Sequence, residues 1–93
     1  MINEVKNYLK IVWDEEDNLI DGIILRGKAY LDNLMDAELD YEVEGPPKSL
    51  LLDYCRYVYN NASEYFEENF AREILRLQLQ IGIKEMAEDE IES

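Results

Sequence analysis

The sequence predicts an all-α fold, a small bundle of about four helices: one short at the N-terminus, two long, and one central and buried. Three observations lead there. Apolar residues return at steps of three and four along most of the chain. The strongest chain-breaking cluster, Gly45-Pro46-Pro47, occurs once. Strand-like alternation is confined to two short stretches, near residues 39–43 and 75–83. Residues 1–93 read as one helical domain with an acidic, fraying tail over about 85–93, and no internal repeat or low-complexity segment separates a second unit.

The first helix is expected over residues 2–11, where Val5, Tyr8, Leu9 and Val12 recur at helical spacing. Asp14 is placed to cap the next helix, with Glu15, Glu16 and Asp17 in its first turn, where carboxylates meet free backbone N–H groups and the positive end of the helix dipole. A calcium loop would need alternating oxygen ligands, a central glycine and a distal glutamate, and the spacings here do not supply them. The second helix is expected over residues 15–36. Ile20, Ile23, Ile24, Gly27, Leu31 and Leu34 fall within about 80° on one face. A helical glycine costs about 1 kcal/mol relative to alanine, so Gly27 implies close approach of another backbone. Gly22, Leu25 and Ala29 form a thinner stripe on the other side, a candidate subunit contact.

Residues 39–47 read as an extended connection that stops at the glycine-proline cluster, with Pro47 in the first turn of the third helix. That helix, residues 48–60, is apolar almost all round: Leu51, Tyr54, Cys55 and Val58 make its main stripe, and only Asp53, Arg56 and Asn60 mark a polar strip. Such a helix is buried on several sides. Asn61 and Glu64 have the spacing of a capping box and should open the fourth helix, whose inward face is Phe66, Phe70, Ile74, Leu77 and Ile81. Helix is expected to about residue 80. From residue 75 to 83 apolar and polar residues also alternate, so the end is readable as helix or as an extended segment able to add a strand to a neighbour's sheet; Leu79, Ile81 and Ile83 are candidate contacts either way.

Composition narrows the function classes. Twenty-two acids against nine bases give a net charge of −13, which repels nucleic-acid phosphates and anionic membranes. An acidic surface suits a wall along which DNA passes without sticking, a surface that imitates DNA, or plain solubility. No run of eighteen apolar residues marks a membrane span, and the N-terminus lacks the basic and apolar regions of a secretory signal. With no histidine, the usual base for a serine or cysteine nucleophile is missing, as is the commonest transition-metal ligand. The lone Cys55 sits on an apolar helix face, where a structural thiol is expected, and no phosphate loop or zinc pattern occurs. The expectation is a non-enzyme with no catalytic, cofactor-binding or metal-ligating residues and no cofactor.

One set of residues carries a family likeness. It comprises the opening helix Val5-Lys-Asn-Tyr-Leu-Lys-Ile11, the acidic corner Trp13-Asp-Glu-Glu-Asp17, Leu19-Ile20, and the step Gly27-Lys-Ala29-Tyr30-Leu31. The Pro47-led apolar helix ending Tyr57-Val-Tyr59-Asn60-Asn61 follows, then Glu64-Tyr-Phe66, Phe70 and Leu77. Over residues 2–79 this layout resembles the head-tail connector (adaptor) proteins of tailed bacteriophages. The resemblance implies a helical bundle that forms a homo-oligomeric ring of about a dozen copies. It further implies docking beneath the portal protein, a platform for the next neck or tail-completion protein, and a channel that passes DNA without sequence-specific binding. The location implied is the virion head-tail junction, with the host cytoplasm during assembly. The alternative from another class is an acidic regulatory binder such as a DNA mimic, a monomer or dimer with carboxylates spaced like phosphates on one exposed face.

Overall fold

The computed structural model describes residues 1–92 in backbone and the surroundings of side chains through Ile83. Its elements are α1 (Ile2–Leu9), α2 (Asp17–Met35), α3 (Pro46–Tyr59), a 3-10 turn (Ser63–Tyr65), α4 (Phe66–Asn69) and α5 (Ala71–Glu92). The fold is all-α, with no strand among the described residues. The side chains of the acidic tail expected over 85–93 lie outside the described residues.

α2 and α3 form the central pair, α1 packs across both, and α5 closes the bundle against α2 and α3. The inward face of α2 is the one its periodicity predicts: Ile20, Ile23, Ile24, Gly27, Leu31 and Met35 are buried, with Leu34 at the margin. From α3 come Leu50, Leu51 and Cys55; from α1, Val5; from the C-terminal segment, Phe66, Ile74 and Leu77. Phe66 is the hub of an aromatic cluster. Tyr54 and Tyr57 meet it edge-on at 5.4 and 5.9 Å, and Phe70 stacks on it at 5.0 Å.

Gly27 faces α3. A methyl group there would stand 2.7 Å from Leu51 Cδ1 and 2.8 Å from Tyr54 Cδ1. The close approach expected at Gly27 is therefore present, but side chains make it rather than a second backbone.

The three N-terminal helices share a mode of ending that the sequence concealed. After α1 the amides of Lys10 and Ile11 bond back to the carbonyls of Asn7 and Lys6; after α2 those of Asp36 and Ala37 bond to Asn33 and Asp32; after α3 those of Asn61 and Ala62 bond to Val58 and Tyr57. Each is a paired closure through a left-handed residue, at φ 61° for Lys10, 51° for Asp36 and 58° for Asn61. Glycine is the usual residue there, so the common stop signal is absent.

Several boundaries move as a result. Residues 10 and 11 leave the first helix, Ile11 folds into the core, and Val12 is 91 % exposed rather than on a helical face. Asp14 does not cap α2: the residue before the helix is Glu16, no side chain caps it, and the Asp14 carboxylate turns to Lys6 Nζ at 2.6 Å. Helix α3 starts at Pro46, two residues before the expected start at residue 48, with both prolines in its first turn. Asn61 closes α3, so the expected Asn61/Glu64 capping box does not form, and the chain enters a 3-10 turn instead. The fourth helix is not continuous either. It breaks at Phe70 (φ −112°, ψ 19°), where Phe66 and Phe70 both pack edge-on against Tyr57. The alternation from Leu75 onward resolves as helix.

The connection between α2 and α3 is an irregular loop that bends over residues 42–45 rather than running extended, and a single side chain pins it. Tyr41 is buried, and its hydroxyl donates to Asp32 Oδ1 at 2.7 Å, while the Leu39 amide donates to the same oxygen at 3.2 Å. The molecule measures 52 × 25 × 18 Å with a radius of gyration of 14.8 Å. A compact chain of this length has about 12 Å.

Candidate interaction surfaces

Two buried lysines organise the acidic N-terminal half. Lys6 of α1 reaches Asp14 at 2.6 Å and Asp17 at 2.8 Å, tying α1 to the start of α2. Lys48 of α3 pairs with Glu44 at 2.6 Å and with Glu4 of α1. These hydrogen-bonded carboxylates hold both ammonium groups above the usual lysine range, and Lys48 in turn holds Glu4 below the usual carboxylate range.

Tyrosines supply a second set of links. Tyr59 and Trp13 donate to Glu16, each at 2.7 Å, which depresses the Glu16 carboxyl. Tyr8 donates to Asp53, and Tyr30 to Glu67. Hydrogen bonding to Asp53 raises the Tyr8 hydroxyl; burial and then the Glu67 bond raise that of Tyr30. Carboxylates that looked interchangeable in the sequence are thus divided between structural pairing and a free outer coat.

No cluster of three or more His, Cys, Asp or Glu residues suited to a metal ion occurs among the described residues. Cys55 is fully buried, and burial pushes its thiol up to about 11. The concavities are open grooves. A representative one, of about 520 Å³, runs along Glu16, Leu19, Ile23, Arg26, Val58, Tyr59 and Asn61, and its carboxylate is already engaged by Tyr59 and Trp13.

The candidate contact residues divide by helix face. On α2, Gly22, Leu25 and Ala29 share the side away from the core; Leu25 is 68 % exposed and nothing lies within 4 Å of a Cβ built on Gly22. A shallow depression joins Gly22 and Leu25 to Asn18, Leu19 and Arg26. On α5, Leu79 and Ile83 are exposed, whereas Ile81 turns inward and packs against the core beside Ile74 and Leu77.

The structure adds a residue that sequence reasoning placed in the alternation but not on this face. Leu75 is 54 % exposed and stands one helical turn before Leu79, so Leu75, Leu79 and Ile83 form a row at four-residue steps. The same spacing was legible in the sequence but was overlaid by the two-residue alternation. Arg72 and Arg76 are exposed along this row. Gly82 beside it is open, with nothing within 4 Å of an added Cβ.

No protein-family model matches the chain, and none of the curated proteins or solved structures compared with it matches either. No helix among the described residues is long and apolar enough to cross a membrane.

Proposed function

We propose that this chain is a structural subunit of a phage or prophage head-tail junction, acting by assembly into a ring that docks on the portal and forms part of the DNA channel. The observation that carries the reading is the pair of exposed apolar rows, on α2 and on α5, standing on an otherwise acidic helical body. Large side chains such as Leu25, Leu75, Leu79 and Ile83 gain nothing from solvent, and burying each against a partner is worth about 1.5–3 kcal/mol. The sequence resemblance supplies the class of assembly, a ring of about a dozen copies. The charge fits that role physically: a channel wall with surplus carboxylates repels the DNA backbone and lets it slide.

Native mass spectrometry over a concentration series, with negative-stain images of any large species, tests the reading. Closed rings near a dozen subunits, formed alone or on addition of purified portal, are the expected result. A chain that stays monomeric or dimeric even with portal refutes it. One-to-one capture of a basic DNA-binding protein would move the assignment to an acidic regulator.

A further inference from the structure

The two exposed rows differ in charge. At about 100° per residue, Arg72, Leu75, Arg76, Leu79 and Ile83 of α5 all fall within about 100° of arc, making a basic-apolar face. On α2, Asp21, Gly22, Leu25, Ala29 and Asp32 fall within a similar arc, with Asp36 just beyond the helix end and the exposed Arg26 at its border, so the face is net acidic with one base at its edge. Bases are scarce in this chain, nine in all, and Lys6, Lys48 and Arg56 are already held in internal ion pairs. Two of the remaining bases stand beside the longest exposed apolar row.

Resting on the ring reading above, we propose that the Arg72/Leu75/Arg76/Leu79/Ile83 face of α5 docks on the Asp21/Gly22/Leu25/Ala29 face of α2 in a second copy of this chain, a head-to-tail contact. Charge selects this pairing. A two-fold contact of either face with itself would set arginine against arginine or aspartate against aspartate, whereas the crossed pairing sets opposite signs together.

Glycine placement agrees. Gly27 is accounted for by Leu51 and Tyr54, but Gly22 and Gly82 meet nothing within the chain, and each lies beside an exposed row where a neighbouring helix could approach closely. Since donor and acceptor faces lie on different helices, each copy can use both at once, as any head-to-tail ring or filament requires.

The test uses the full chain and two single variants, Leu25→Glu and Leu79→Glu. Both positions are more than half exposed, so the variants keep the wild-type fold, checked by their far-UV circular dichroism and melting midpoints. At concentrations where wild type assembles, each variant alone should remain monomeric, its assembly weakened about tenfold or more. Mixed in equal amounts they should form a one-to-one pair and nothing larger, because each retains one intact face. Native mass spectrometry reads both results. Variants that assemble like wild type overturn the pairing, as does a mixture that stays monomeric or a wild-type chain monomeric to about 1 mM. The pairing and the ring fail separately. Rings that persist in both variants remove the pairing and leave the ring; one-to-one pairing of the variants with a wild type that forms only open filaments, even with portal, keeps the pairing and removes the ring.

Discussion

Alanine substitutions at Gly27 and Gly22, two glycines of the same helix, should shift stability in opposite directions. Intrinsic helix propensity favours alanine by about 0.8–1.0 kcal/mol at either site. At Gly22 an added methyl meets nothing within 4 Å, so the propensity gain is kept. At Gly27 it meets Leu51 Cδ1 at 2.7 Å and Tyr54 Cδ1 at 2.8 Å, well inside the ~3.5–4.0 Å of favourable carbon contact. Neither neighbour yields freely. Leu51 is fully buried, and Tyr54 is stacked on Tyr30 at 5.1 Å and set edge-on to Phe66 at 5.4 Å. Overpacking of this kind costs about 1–3 kcal/mol, which outweighs the propensity gain and leaves a net loss near 1 kcal/mol. For a domain of this size that is a fall in melting midpoint of about 4–8 °C for Gly27→Ala, against a comparable rise at most for Gly22→Ala. The assay is thermal denaturation followed by circular dichroism, at one low concentration for all variants so that self-association does not shift the midpoints. A Gly27→Ala chain as stable as Gly22→Ala would refute the close packing of α2 on α3.

Acid should weaken the fold through Glu4 and Glu16. Both carboxyls titrate below the usual range when folded, so the unfolded chain binds protons first as pH drops; their contribution is complete above about pH 5 and is lost as pH falls through the folded values, read as a falling urea midpoint. A midpoint flat between pH 6 and pH 3 would count against these pairings. Alkali acts with the opposite sign. Tyr8, Tyr30, Tyr41 and Tyr59 are raised when folded, so their contribution is complete below about pH 10 and is lost as pH climbs, and fewer of the seven tyrosines should ionise near pH 10.5 in buffer than in denaturant by tyrosinate absorbance. Tyr41→Phe removes a buried bond to a carboxylate and should cost about 1.5–3 kcal/mol by denaturant titration; a loss under 0.5 kcal/mol would mean that Tyr41 does not anchor the loop. Cys55, buried with its thiol pushed up to about 11, should react with an aromatic disulfide reagent only at the rate of chain opening, and immediate labelling would contradict its burial.

The inward faces were legible because burial writes a period into the sequence. The α2 set from Ile20 to Leu31 and the set Phe66, Ile74 and Leu77 were placed correctly even though the helix carrying the latter is broken at Phe70. A face survives a local break when the chain resumes in phase. What escaped were choices between competing bonds. Asp14 has the chemistry of a cap and equally that of an ion-pair partner, and the buried Lys6 ammonium won it. Asn61 could open the next helix or close α3, and the closure of α3, paired with the Ala62 amide on Tyr57, took it. Neither choice leaves a trace in spacing, since each depends on a group brought near by the fold.

The candidate surfaces were legible for a related reason, and only in part. Leu75, Leu79 and Ile83 recur every four residues, but so do Leu77 and Ile81, offset by two, and the sum of the two rows looks like a strand. Two helical rows in antiphase arise when a helix is apolar on opposite sides. Here the bundle covers one side, through Leu77 and Ile81, and leaves the other bare. The alternation that obscured the helix is thus itself the signature of a helix apolar on two opposite sides, only one of which its own chain covers. Gly22 and Gly27 illustrate the same ambiguity one helix earlier. Each falls beside an apolar stripe of α2, and only the neighbours differ: Leu51 and Tyr54 fill the space beside one, and the space beside the other is open. The period of α2 marks both glycines alike, and only the fold tells the one its own packing requires, Gly27, from the one it does not, Gly22.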